Sequence, residues 1–137
     1  MSRTKISRGL KRRLITREDP RSPVSEAYRS LRTSLLYTSA DKKIKSILIS
    51  SAGPGEGKTT TVANLAITYA NLGKKTILID TDLRRPVVHK VLDLNKEPGI
   101  TDYLSGAMND FNGLVQSTTI ENLYVVPSGI IPPNPSE

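Results

Sequence analysis

Cysteine is absent from the 137 residues, which excludes a disulfide framework and any Cys-ligated zinc or iron–sulfur centre. Histidine occurs once, at His89, and one histidine makes no metal site; its place in a short apolar segment reads as an exposed position on a helix. No stretch approaches the roughly 20 apolar residues of a membrane-spanning helix. The N-terminus has no apolar core of a signal peptide. These absences predict a soluble, cytoplasmic chain. Acid is missing from the first 17 residues, which carry Arg3, Lys5, Arg8, Lys11, Arg12, Arg13 and Arg17 and account for much of the net charge of +7. Three readings of this arm stay open: nucleic-acid contact, attraction to an anionic membrane surface, or a solvated tail. No aromatic residue is available there for base stacking, and only Ile6, Leu10, Leu14 and Ile15 interrupt the charge, so nucleic acid ranks below a solvated or membrane-adjacent tail. Internal repeats are lacking. The length suits one small domain and is short for a full parallel sheet of the kind considered next.

The most informative stretch is Ser46 to Thr61, S-I-L-I-S-S-A-G-P-G-E-G-K-T-T-T. It reads as an apolar strand (Ile47 to Ser50), a glycine-rich loop, and a helix opened by Gly57-Lys58-Thr59. Glycines let successive backbone N–H groups turn inward on phosphate oxygens, and a helix N-terminus adds partial positive charge. Gly53, Gly55, Glu56, Gly57, Lys58, Thr59 and Thr60 therefore form a candidate nucleotide-binding set. Lys58 would bridge the β- and γ-phosphates and Thr59 would ligate Mg²⁺. The strict G-x-x-x-x-G-K-[ST] pattern asks for glycine at position 52, where this chain has Ala52. A dinucleotide fingerprint would need glycine where Lys58 stands.

Upstream, the proline-punctuated segment from Arg17 to Pro23 reads as a linker, so residues 1–23 form a basic arm and linker. A helix follows from about Val24 to Tyr37, capped by Ser25 or a neighbour, with Val24, Tyr28, Leu31 and Leu35 on one face. Glu26, Arg29 and Arg32 lie on a separate arc that periodicity alone reads as a solvated charged face. Past the loop, Val62, Leu65, Ala66 and Tyr69 make a buried stripe, and Gly73 closes the helix in a left-handed conformation. Thr76 to Ile79 is a second strand, which completes a βαβ unit over residues 46–82. It ends in Asp80-Thr81-Asp82, beside the phosphate loop, because ligands in parallel α/β sheets sit at the carboxyl ends of strands. A carboxylate there can hold Mg²⁺ or accept a proton from an attacking hydroxyl, or the acids can simply pair with Arg84 and Arg85. Short helices are expected at Val87–Leu94 and Ile100–Leu104, a third strand at Asn122–Val126, and no defined element between Asn109 and Thr119.

Three motifs together resemble the bacterial tyrosine kinases, of the cytoplasmic Gram-positive type associated with capsule or exopolysaccharide synthesis. Glu26, Arg29 and Arg32 match that family's E-x-x-R-x-x-R helix, Ser51 to Thr60 its Walker A loop, and Ile77 to Pro86 its Walker A′ motif. Residues 127–137, P-S-G-I-I-P-P-N-P-S-E, match a later segment. The resemblance implies an α/β P-loop NTPase fold, a parallel sheet flanked by helices, of which residues 24–137 form the N-terminal part with the sheet incomplete. It implies ATP and Mg²⁺ as cofactors and phosphoryl transfer to protein tyrosine. Lys58, Asp80 and Asp82 are then catalytic, and Thr59, Asp80 and Asp82 surround the metal. Glu26, Arg29 and Arg32 would contact a neighbouring subunit in a ring-like homo-oligomer, and a transmembrane activator would recruit the kinase to the inner face of the membrane. The family continues into a Walker B strand and a C-terminal tyrosine cluster that this sequence does not contain, so the expectation is a truncated and impaired kinase. Two alternatives remain. One is a chromosome-partitioning or division-site P-loop ATPase, disfavoured because those carry an extra lysine where Gly53 stands. The other is a non-catalytic nucleotide-binding remnant.

Overall fold

The computed structural model describes residues 14–38, 46–48 and 57–131. The basic run up to Arg13, the loop positions Gly53, Gly55 and Glu56, and the proline-rich stretch from residue 132 lie outside the described residues. In chain order the elements are α1 (Ile15–Glu18), α2 (Pro23–Tyr37), α3 (Lys58–Ala70), β1 (Thr76–Ile79), α4 (Val88–Val91), α5 (Ile100–Leu104), a 3₁₀ turn (Phe111–Leu114), β2 (Gln116–Ser117) and β3 (Leu123–Val126). The strand order is β1-β3-β2. β1 runs parallel to β3, with Thr76 opposite Leu123 and Ile79 opposite Val126, while β2 is antiparallel to β3.

Helix α3 organises the packing. One side lies on β1 and β3, the other on α1 and α2. It is therefore buried almost all round, from Ala63 to Thr68 and again at Ala70. The expected stripe of Val62, Leu65, Ala66 and Tyr69 is too narrow: Val62 and Tyr69 are only half-buried, while Ile67 is at the centre of the core. Fully burying a side chain such as Ile67 contributes roughly 1.5–3 kcal/mol. The helix ends as its sequence requires, with the Gly73 N–H on the Ala70 carbonyl and Gly73 at φ 81°. Leu78 turns its side chain into the core, whereas Ile77 and Ile79 on the opposite face of β1 are exposed. Of the strand expected at residues 47–50, Ile47 and Leu48 are exposed and not in a strand; the remainder lies outside the described residues.

Helix α2 is capped by Ser22, whose hydroxyl accepts from the Ser25 N–H, with Pro23 in the first turn where it needs no hydrogen-bonded N–H. Its docked face is not the purely apolar one. Ser25 is fully buried, and Tyr28, Arg29, Arg32 and Leu35 are half-buried beside it, whereas Val24 and Leu31 are exposed. The arginine arc and the apolar arc are thus shared between the inward and outward sides.

Three further positions depart from their expected surroundings. Leu14 and Thr16, inside the segment read as arm and linker, are both 2 % exposed. The reason is that α1 lies across α3 and inserts Leu14 among Ala63, Ala66 and Ile67. His89 is not on the surface as its sequence suggests. It is buried with Val88 and Val91, because α4 is a single turn that packs into the core.

Candidate functional site

β1 delivers the first acid. The Asp80 N–H donates to the Val126 carbonyl at 3.0 Å, extending the ladder one residue past the strand and fixing where the carboxylate emerges. Asp80 is 4 % exposed. Its Oδ1 accepts from the Asp82 N–H at 3.0 Å and its Oδ2 from the Val88 N–H at 3.4 Å. Burial pushes its carboxyl above the ordinary range, only partly offset by those two amides and by the positive charge of Lys58.

Asp82 has the opposite setting. Its Oδ1 accepts from the backbone N–H groups of Arg84 and Arg85 at 3.2 and 3.1 Å, and its Oδ2 lies 3.5 Å from Lys58 Nζ. Burial works to raise its pKa. The Arg85 amide, the Lys58 charge and the Arg84 amide together outweigh that and hold it below the usual carboxylate range. Its bonds to positions 84 and 85 are therefore made to backbone amides. Two neighbouring carboxylates are thus pushed apart in acidity by their surroundings, burial raising one while backbone amides and Lys58 lower the other.

The cation comes from the first turn of α3. Gly57 at φ 73° lets the chain enter the helix abruptly, so that Lys58 and Thr59 face the carboxyl end of β1. Lys58, Thr59, Val62, Asp80, Asp82 and Val88 line one cleft. Thr60 follows in the same turn, half-buried, with its carbonyl accepting from Asn64 Nδ2 at 2.8 Å. Of the residues singled out from sequence, the structure brings together Lys58, Thr59, Asp80 and Asp82. Gly57 and Thr60 flank them, while Gly53, Gly55 and Glu56 lie outside the described residues.

Glu26, Arg29 and Arg32 are elsewhere, on α2. Arg29 Nη2 is 2.7 Å from Glu26 Oε2 on the exposed side, and Arg29 also donates to the Pro20 carbonyl. Arg32 points inward and donates to the Thr68 carbonyl of α3 at 2.8 Å. Sequence reasoning missed Val88, whose amide holds Asp80. No local signal marks it, since the contact depends on α4 folding back over β1.

The model of the AAA domain family matches residues 44–131, which span the cleft and the whole described sheet. The chain belongs to the AAA domain family. It is 44 % identical over 128 residues to Tyrosine-protein kinase YwqD of Bacillus subtilis (strain 168), covering 93 % of this chain and 54 % of that protein. Among solved structures, the chimerical protein CapA2B2 superposes with a TM-score of 0.83 at 42 % identity, over 91 % of this chain and 54 % of that one. The kinase domain of Escherichia coli tyrosine kinase ETK gives 0.83 at 32 % identity, over 90 % and 48 %. The chain thus spans about half the length of the relatives it matches. The resemblance to bacterial tyrosine kinases stands on these relatives, as does the α/β P-loop NTPase fold with an incomplete sheet.

Proposed function

We propose that the intact protein transfers the γ-phosphoryl group of ATP to protein tyrosine, its own included, in control of capsular or exopolysaccharide synthesis. The observation that carries this reading is the cleft in which Lys58 and Thr59 face a buried Asp80 and an Asp82 paired with Lys58 at 3.5 Å. Relatives named as tyrosine-protein kinases supply the choice of acceptor. Membership of the AAA domain family implies a bound nucleotide.

The chemistry asks the protein mainly to position groups and stabilise charge. Lys58 would lie along the β- and γ-phosphates and balance charge as it builds on the leaving oxygen. Asp80 would accept the proton of the tyrosine hydroxyl as the phenolic oxygen attacks the γ-phosphorus and the bond to the β–γ bridging oxygen breaks, releasing ADP. The oxygen donors of Thr59, Asp80 and Asp82 fit Mg²⁺, which takes one or two carboxylates and completes its shell with phosphate and water. Bound there, the ion would supply neutralisation of phosphate charge. Among the described residues no group of three or more His, Cys, Asp or Glu could hold a metal by itself.

By family resemblance, Glu26, Arg29 and Arg32 would contact a neighbouring subunit in a ring-like homo-oligomer of the intact protein, Arg32 doing so only by leaving the Thr68 carbonyl of its own chain, and a transmembrane activator would recruit it to the inner face of the membrane. Among the described residues no helix is long and apolar enough to cross a membrane. The test is phosphoamino-acid analysis of the intact protein isolated from its cell and incubated with Mg·ATP. Phosphotyrosine that disappears in Lys58→Met is the expected result. Phosphate confined to serine, or DNA-stimulated ATP hydrolysis without phosphotyrosine, overturns the reading and favours a chromosome-partitioning ATPase.

A further inference from the structure

A buried polar chain joins α1 to α3 across 48 residues of sequence. Thr16 is 2 % exposed and Asn64 is fully buried. The Thr16 backbone N–H donates to Asn64 Oδ1 at 3.1 Å, and the Thr16 hydroxyl donates to the same oxygen at 2.8 Å. Asn64 Nδ2 in turn donates to the Thr60 carbonyl. The carboxamide orientation is fixed by these partners, because exchanging its oxygen and nitrogen would set donor against donor. Thr60 sits in the first turn of α3, directly after Lys58 and Thr59.

The segment that carries Thr16 is itself held at both ends. Leu14 is embedded in the core against α3. The Ser25 hydroxyl of α2 lies 3.0 Å from the Ile15 carbonyl and 2.6 Å from the Asp19 carbonyl. Polar groups this deeply buried are costly unless paired, and an apolar side chain of threonine's shape would fill the same space without them. Packing α1 onto α3 therefore does not explain the hydroxyl. Its place does: it gives the Asn64 oxygen a second donor and so holds the other end of the amide on Thr60.

We propose that Thr16 is a positioning residue for the nucleotide site, acting through Asn64 to hold the first turn of α3 and with it the Lys58 ammonium and the Thr59 hydroxyl. The inference rests on the reading that Lys58 and Thr59 grip phosphate.

The experiment compares the full chain with Thr16→Val, which keeps shape and removes the hydroxyl, and Thr16→Ser, which keeps the hydroxyl. Ile67→Val serves as a control that loosens the core beside α3 without touching a hydrogen bond. Amide hydrogen exchange over residues 61–64 is measured without nucleotide, and Mg·ATP affinity by calorimetry. Thr16→Val is expected to speed exchange in that turn and to weaken Mg·ATP by about threefold to tenfold, the equivalent of one ordinary hydrogen bond. Thr16→Ser is expected to restore both, and Ile67→Val to lower the melting temperature while leaving affinity unchanged. Should valine not fit, Thr16→Ala against Thr16→Ser repeats the comparison at smaller volume. Unchanged exchange at residues 61–64 in Thr16→Val, or the same change in Ile67→Val, overturns the coupling. Faster exchange with unchanged affinity overturns its link to the nucleotide. No binding of Mg·ATP by the unaltered chain counts against the phosphate-site reading instead, and the exchange measurement then decides the coupling alone.

Discussion

Lys58 Nζ and Asp82 Oδ2 lie 3.5 Å apart, joining the first turn of α3 to the loop that follows β1. Both side chains are partly exposed, so the pair itself contributes only about 0–1 kcal/mol to stability. Its value is in placing charge. Lys58→Met is expected to leave the melting temperature nearly unchanged while abolishing nucleotide-dependent tyrosine phosphorylation by the intact protein. The same substitution removes two of the causes that lower the Asp82 pKa, the Lys58 charge and its hydrogen bond. The acid-side stability from Asp82, present above the unfolded carboxylate value and lost as pH falls through its lowered folded value, should shrink. A carboxyl titration followed by NMR reads this directly; an Asp82 curve identical in the variant would mean that the two groups do not interact in solution.

Asp80 makes the opposite prediction. Its folded pKa is raised, chiefly by burial, so its ionised form opposes folding. Its favourable contribution is complete below the unfolded carboxylate value and is lost as pH rises through the raised folded one. Phosphotransfer, which needs the ionised form, should show an acid limb, and Asp80→Asn should reduce the rate by about 10²–10⁴-fold. A pH–rate profile measures both. An Asp80→Asn variant that keeps the same acid limb and most of its rate would assign that limb to another group.

Most of what lies along one element was legible in the sequence. The strand Thr76–Ile79 and the helix Ile100–Leu104 fall on the residues their patterns mark. Gly73 takes its left-handed conformation because the chain must leave α3 there. Lys58 and Asp82 meet because helix N-terminus and strand C-terminus face one another in this fold. What was not legible depends on distant partners. The Thr16–Asn64 bond spans two elements that periodicity treats separately. The buried circumference of α3 arises from α1 and α2 covering the side that a two-layer reading leaves to solvent. The short β2 has only Gln116 and Ser117, too few residues for any alternation, and exists because Val125 and Tyr124 of β3 offer it a ladder.

Gly99 and Gly73 should respond to alanine for different reasons. Gly99 has an extended backbone that any residue adopts, but a Cβ there would stand 2.1 Å from the Gly129 nitrogen and 2.4 Å from the Pro127 carbonyl oxygen. The close approach lets the Ile100 N–H donate to the Pro127 carbonyl at 2.9 Å and the Thr101 N–H to the Ser128 carbonyl at 3.0 Å, which pins the start of α5 to the end of β3. Since the obstructing atoms are backbone, Gly99→Ala should cost about 1–3 kcal/mol or more. Gly73→Ala meets nothing within 4 Å and should cost about 1 kcal/mol, from its positive φ alone. Chemical denaturation of the two variants tests the order. Equal losses would mean that the α5 junction relaxes around a methyl group.

His89 provides the pH dependence nearest neutrality. It is 9 % exposed, and its Nδ1 is buried with no hydrogen-bond partner among the described residues. Burial lowers its pKa, and the positive charges of Lys90 and Lys96 lower it further. Asp93 is the acid on the same stretch, but it is exposed at the surface and contributes no resolved compensation. The folded protein therefore holds the imidazole neutral while the unfolded chain protonates it at the ordinary value of about 6.5. Between those two values the unfolded state binds more protons, so stability is full above about pH 6.5 and declines as pH falls toward the lowered folded pKa. His89→Leu, of similar bulk and without the titrating nitrogen, should flatten the fall of the melting temperature below about pH 6.5 and raise it at the acid end. Asp80, whose pKa burial raises, works in the opposite sense by favouring the folded state as it protonates. A slope in His89→Leu equal to that of the unaltered chain would place the titrating group elsewhere.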